Sequence, residues 1–215
     1  MIEPNKLKDF WITSDLWLGR KQILQIAKRN QWQTLEEMNA TLIQNWNERI
    51  ADDDHVFCLG NFAWDPLTAR RALDTLKGTI YFMLGNADDA LLEVYQEFSN
   101  VAVIENSILS LPNHDIIMCH YPLAMWPGKD SGTIHLHGHA VYSHLTNLAV
   151  EKRFNMCSDH WGHSPIKVST LKDLVNDFEK WNLHSTGNKI QIWSKWAQFQ
   201  TPTGKNVTRP QKVHL

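Results

Sequence analysis

Cysteine is scarce and odd in number: Cys58, Cys119 and Cys157 are the only three in 215 residues. None has a partner at metal-ligand spacing, and each lies in an apolar stretch. They read as free buried thiols, which excludes a disulfide framework and a cysteine-based zinc site. No apolar run approaches the roughly 20 residues of a membrane-spanning helix. An excess of charge is missing too, since 21 Lys+Arg against 23 Asp+Glu leave a formal net charge of -2. That balance argues against a surface built throughout for nucleic acid, while leaving room for a local basic patch. The opening residues Met1-Ile2-Glu3-Pro4-Asn5-Lys6 carry no apolar leader. The expectation is a cytoplasmic protein, in the host cytoplasm if phage-encoded.

Two residue types are abundant, with ten tryptophans and eleven histidines. The tryptophans are scattered and read as core anchors. Six histidines fall between His135 and His163, which is either metal chemistry or coincidence.

Along the chain, Phe10-Trp11-Ile12-Thr13 reads as a buried strand ending at Ser14-Asp15. A helical stretch is predicted over about 21–29. A second helix opens with the capping box Thr34-Leu35-Glu36-Glu37 and repeats apolar residues at spacings of three and four. Strand 56–59, helix 66–76, strand 80–84 and helix 90–98 follow. Strands are then predicted near 101–104, 116–119, 133–136 and 154–157, and a last helix over 170–181. Alternating strands and helices mean an α/β layered architecture. The segment 183–215 differs, because no acidic residue follows Glu179 while Lys180, Lys189, Lys195, Lys205, Arg209 and Lys212 remain. A domain over 1–182 and a basic, Trp-containing extension over 183–215 are therefore expected.

Polar clusters sit just after the buried strands, where ligands bind in open α/β sheets. They are Ser14-Asp15-Leu16-Trp17, Leu59-Gly60-Asn61-Phe62, Leu84-Gly85-Asn86-Ala87-Asp88, Cys119-His120-Tyr121-Pro122 and Leu136-His137-Gly138-His139. One such turn is structural more often than functional; five in this order are a pattern.

On these motifs the chain, from about Phe10 to Trp181, resembles the calcineurin-like metallophosphoesterases of the small single-domain bacterial and phage type. The family pattern runs Asp-x-His, Gly-Asp, Gly-Asn-His-Asp, a lone His, and Gly-His-x-His. The resemblance implies a four-layer α-β-β-α sandwich of two mixed sheets. It also implies two divalent metals about 3.5–4 Å apart that activate a bridging water. Asp15, Asn86, His120 and His139 stand where the family has ligands, and Asp88 ends the third motif. Trp17 stands in place of the first-motif His and Asn61 in place of the bridging Asp. Ala87 replaces the catalytic His, and Val141 replaces the final His. The first metal thus keeps Asp15 alone. The second keeps Asn86, His120 and His139 around an uncharged Asn61.

Losing residues that bind the metal directly costs more than the roughly 10- to 100-fold in affinity lost when a group that merely supports a ligand is removed. The expectation is a catalytically inactive pseudoenzyme that binds or scaffolds a protein partner, with no metal or at most one Mn, Fe, Zn or Ni. The alternative is a one-metal or remodelled phosphoesterase acting on phosphodiesters or nucleotides. A remodelled site would draw on His137, Asp159 or His160, since His135, His137 and His139 share one face of a strand. His144 and His163 lie in nearby loops. Nucleic-acid binding through the basic extension, with Trp193 and Trp196 stacking on bases, is a further reading. No membrane partner is expected.

Overall fold

The structure, a computed structural model, describes residues 4–25, 29–141 and 152–184. It is an α/β sandwich of two mixed sheets. Strands β1 (Trp11–Thr13), β2 (His55–Cys58), β3 (Thr79–Met83) and β4 (Val101–Ile104) run parallel, in the order β4-β3-β2-β1. A short antiparallel strand, residues Ile166–Lys167, closes the β1 edge. The second sheet holds β5 (Ile108–Leu111), β6 (Ile116–Cys119), β7 (Ile134–His137) and β8 (Arg153–Asn155) in sequential order, so Ile166–Lys167 is β9. There β5 is antiparallel to β6, and β6, β7 and β8 are parallel.

Side-chain alternation sets the layers. In β2 and β3, Val56, Cys58, Ile80 and Phe82 join one apolar cluster, while Phe57, Tyr81 and Met83 join the other. The first cluster packs under α1 (Leu35–Asn47), α2 (Pro66–Leu73) and α3 (Asp89–Leu92), through Met38, Leu42, Trp46, Ala69, Leu73 and Leu91. The second fills the space between the sheets, where Ile116, Met118, Ile134, Leu136 and Phe154 meet Phe10, Ile12 and Phe57.

Thr34 caps α1 by accepting from Glu37 N at 3.1 Å, as the capping box predicts. The return bond differs by one residue, because Glu37 Oε2 accepts from Gln33 N at 2.9 Å. The helix stops at Asn47, short of the aspartates at 52–54. Within 21–29, Lys21–Gln25 form a 3-10 turn and Arg29 lies in a turn, while 26–28 lie outside the described residues. The predicted helix over 90–98 is α3 followed by a 3-10 turn, Tyr95–Glu97. Strands β5 and β9 have no counterpart among the predicted elements.

One layer differs from the expected sandwich. Among the described residues the outer face of the second sheet carries the segment 121–133, with Trp126 lying 5.2 Å over His135. The last helix, α4 (Val168–His184), follows directly from β9. That start places Val168, Leu171, Leu174 and Val175 in the inter-sheet core instead of on an outer face. The helix also runs through residue 183, where the extension was expected to begin. The rest of the extension, with Trp193 and Trp196, lies outside the described residues, as does His144. No described helix is long and apolar enough to cross a membrane.

Candidate functional site

The two sheets meet at the carboxyl ends of their parallel strands. A bridge joins Ser14 to Cys157, and Ser158 N donates to Ser14 O at 2.9 Å. Asp15 leaves β1, Asn61 leaves β2, Asn86 leaves β3, His120 leaves β6 and His139 follows β7. All five therefore converge on one junction. Backbone strain marks it, since Asp15, Trp17, Asn61 and His139 all have positive φ, of 56, 54, 56 and 65°. Such conformations persist where the surroundings over-determine them, and for a bulky residue such as tryptophan they are true outliers. Two glycines permit the approach. A Cβ on Gly85 would lie 2.7 Å from both Asn61 Oδ1 and His120 Cε1, and one on Gly138 would overlap Ser14 Oγ and the Asp15 carboxylate.

Asn61 occupies the centre. Ala87 N donates to its Oδ1 at 3.1 Å, which turns Nδ2 toward three acceptors. Nδ2 lies 2.9 Å from Asp15 Oδ1, 3.3 Å from Asn86 Oδ1 and 3.3 Å from His120 Nε2. His120 Nδ1 is 2.6 Å from the Leu59 carbonyl, which can only accept, so Nδ1 carries a proton and Nε2 is the nitrogen turned into the junction. His139 Nδ1 faces Asn86 Oδ1 at 3.0 Å and His120 Nε2 at 3.2 Å, and the Asn86 to His120 separation is 3.1 Å. Burial lowers the pKa of His139, and the neighbouring His120 adds to the shift while Asp15 opposes it. A neutral His139 ring can donate from Nδ1 into the other two atoms, and with its proton on Nε2 it presents a lone pair there instead.

These three atoms fit a single metal. Ligands about 2.1 Å from one ion and 3.0–3.2 Å apart subtend roughly 95° at it, as on one face of an octahedron. Among the described residues no three His, Cys, Asp or Glu side chains gather to hold a metal. The set becomes three only through the Asn86 amide oxygen, which favours a weak site.

The other half of the junction does not fit a metal. Asp15 is fully buried, and both its oxygens are committed. Oδ1 accepts from Asn61, while Oδ2 accepts from Ser14 Oγ at 2.7 Å and from His139 N at 2.8 Å. Burial raises its pKa, against the opposing pull of His120 and these hydrogen bonds. Trp17 and Val141 are buried members of the helix-side apolar cluster, and Ala87 packs against that same cluster. The three positions that carry imidazoles in the resembled pattern are here apolar and extend the core.

Several expected site residues do other work. Asp88 is a bracket, with its carboxylate accepting from Asn61 N, Phe62 N and Gly85 N at 2.8, 2.8 and 2.6 Å. Among the described residues the candidates for a remodelled site lie as follows. Strand β7 ends at His137, so His139 leaves the shared row and turns to Asn86. His137 stays beside His135, their rings 5.3 Å apart. Asp159 is held by Arg29, at 2.9 and 2.7 Å, in a fully buried ion pair. Burial would raise the Asp159 pKa, but the guanidinium outweighs it and the net shift is downward. His160 ends the 3-10 turn Ser158–His160 that carries Asp159.

Arg29 carries no signal of this role in the sequence. It also donates to Asp15 O and Leu16 O, both at 2.6 Å, so it pins the strained loop of the junction from beneath. Its partner is 130 residues away in the chain, and no local pattern announces such a pair. The three cysteines are free and buried, as expected.

No protein-family profile matches the chain. It is 24% identical over 176 residues to an uncharacterized protein of Methanocaldococcus jannaschii, covering 79% of this chain and 92% of the relative. It is 26% identical over 200 residues to the Gene 66 protein of Mycobacterium phage L5, covering 79% of this chain and 95% of the relative. The crystal structure of a protein of unknown function from Aquifex aeolicus superposes with a TM-score of 0.58 at 17% identity. That match spans 77% of this chain and 98% of the other, and it establishes a shared fold.

Proposed function

We propose that this chain is a metallophosphoesterase-like scaffold with a collapsed two-metal centre, used for binding and not for two-metal hydrolysis. The observation that carries the reading is the Asn61 amide. Its nitrogen donates into the space where a bridging carboxylate would have to accept two metals, at 2.9 Å from Asp15 Oδ1 and 3.3 Å from His120 Nε2. A hydrogen-bond donor at the centre satisfies Asp15 without any cation. It leaves a first metal with neither ligand nor charge partner. The apolar fill by Trp17, Ala87 and Val141 supports the same conclusion.

A second reading has its own support in the triangle of His120 Nε2, His139 Nδ1 and Asn86 Oδ1. These groups would hold one divalent transition ion, which when bound would polarise a ligand oxygen as a Lewis acid. Asn61 Nδ2 would then donate to the same ligand. A protein partner follows from the scaffold reading by fold-level analogy alone.

Elemental analysis after dialysis, combined with phosphodiesterase assays over a panel of divalent metals, tests the proposal. The expected result is no more than one metal per chain and turnover no faster than that of His120→Ala. Two metals per chain, or turnover that His120→Ala abolishes, would overturn it.

A further inference from the structure

The loop that leaves Asp15 carries a second feature that the metal half of the junction does not explain. The Arg20 guanidinium lies 4.1 Å from the centre of the Trp17 ring and 4.8 Å from that of Trp64. The two indoles are themselves 6.3 Å apart at 43°, so the cation sits in a wedge between them. Trp17 is buried, whereas Trp64 is 49% exposed, so the wedge opens to solvent on the Trp64 side. The backbone fixes this arrangement. Arg20 N donates to Trp17 O at 3.2 Å, and Trp64 N donates to Leu18 O at 2.8 Å.

An arginine stacked on aromatic rings keeps its charge and its planar edge of N–H donors, because stacking uses the faces and not the edge. Arg29 shows how this protein commits such an edge when the role is structural, with its donors spent on Asp159, Ser158, Asp15 and Leu16. Arg20 is different. Among the described residues it donates no side-chain hydrogen bond and forms no ion pair, and its Nε is buried without an acceptor. A buried donor left unmade is costly. A cation held rigid by two rings with its donor edge uncommitted is a preorganised receptor.

We infer that the Trp17–Arg20–Trp64 wedge is a metal-independent oxyanion site, which takes a phosphoryl or carboxylate group on the guanidinium edge. This differs from the role that the metal-ligating half would play, and it stands whether or not a metal binds at His120. It also gives Trp17 a use beyond filling space, since the indole is the platform that orients Arg20.

Isothermal calorimetry on the full chain, in EDTA so that no metal-borne anion contributes, tests the inference. Inorganic phosphate and acetate are the two probes, and their relative affinities tell a phosphoryl from a carboxylate site. The expected result is saturable binding of at least one probe by the wild type and loss of that binding in Arg20→Gln. Arg20→Lys keeps the charge but loses the fork, and should weaken affinity at least tenfold. Trp64→Leu, a change at a half-exposed position, should weaken it with the melting temperature unchanged. That variant keeps the test decisive if Arg20→Gln folds poorly. Binding by neither probe, equal binding by wild type and Arg20→Gln, or binding seen only when EDTA is omitted would overturn the inference.

Discussion

The half of the junction built from β1 and the half built from β6 and β7 satisfy their polar groups differently. Around Asp15 both carboxylate oxygens accept from groups inside the protein, Trp17 and Val141 belong to the core, and Ala87 packs against it. Around His120 the polar atoms face one another across 3.0–3.2 Å, and His139 and Asn86 reach the surface. The first half is closed by its own hydrogen bonds, and the second has the geometry of a ligand site. The difference teaches that one junction can hold a closed, hydrogen-bonded half beside an open one shaped like a ligand site. Buried polar groups must be satisfied by something, and around Asp15 an amide, a hydroxyl and a backbone N–H satisfy the carboxylate.

The comparison breaks most severely if the support beneath the first half is removed. Arg29→Met leaves the Asp159 carboxylate buried and uncompensated, and strips two donors from the Asp15–Leu16 backbone. Breaking a buried pair in this way costs about 3–5 kcal/mol. Denaturant unfolding should therefore show a larger loss for this variant than for any other single substitution at the junction. Arg29→Met with Asp159→Leu should recover much of it, because no lone charge remains buried. A loss below about 1 kcal/mol would show that the pair does not hold the loop.

The second sheet has its own weak point, at acid pH. Burial lowers the pKa of His135 to about 4, against the opposing carbonyls of Ile117 and Tyr121 and with help from Arg153. Its Nε2 accepts from Leu123 N at 3.0 Å and needs a lone pair to do so. Above the ordinary value of 6.5 the ring is neutral in both folded and unfolded chains. As pH falls below 6.5 the unfolded chain takes a proton that the folded chain refuses until about 4. Stability is therefore full above 6.5 and declines toward 4, by up to about 3 kcal/mol. Unfolding free energies measured across that window should fall for the wild type and fall less for His135→Gln. Parallel slopes would remove His135 as the cause.

How legible these halves were in the sequence follows from how local their signals are. The strands β1, β2, β3, β4 and β6 announce themselves as short apolar runs, with Ser-Asp after β1, Gly-Asn after β2 and β3 and His-Tyr-Pro after β6, so the polar turns carrying Asp15, Asn61, Asn86 and His120 are readable. Strand β5 was not, because Ile108 and Ser110 are exposed and the segment lacks an apolar run. Strand β9 has two residues and depends on pairing with Trp11 and Ile12. Arg29 looked like the end of a helix, since a pairing partner 130 residues away leaves no periodicity. His137 and Asp159 are close to the site in sequence, while the strand end leaves His137 beside His135 and the buried arginine pairs with Asp159.

Metal affinity measures the second half directly. His120→Ala removes the one ring that contacts both Asn86 and His139, and should lower affinity for Mn, Fe, Zn or Ni by at least the 10- to 100-fold expected of a lost supporting group. Trp17→Ala should leave that affinity within about threefold, because the indole belongs to the other half. Competition with a chelating dye would measure both. Equal losses in the two variants would mean that the halves still act as one centre.

The finest test exchanges the central donor for an acceptor. Asn61→Asp keeps the shape of the side chain but replaces the N–H donor 2.9 Å from Asp15 Oδ1 with a second carboxylate oxygen. Two carboxylates in contact cannot both ionise freely, and the Asp15 pKa is already raised by burial. In EDTA the variant should melt below the wild type. A divalent metal should then restore it by more than it stabilises the wild type, since a cation would relieve the repulsion as well as bind His120, His139 and Asn86. At a tenfold excess over Kd such binding contributes about 1.4 kcal/mol, so the shift is small but readable by calorimetry. The metal count should nevertheless stay at one, because Trp17 still fills the first half. Adding Trp17→His to Asn61→Asp should raise the count to two. If Asn61→Asp alone takes two metals, the apolar fill never closed the first half, and the central amide alone separated it from the second.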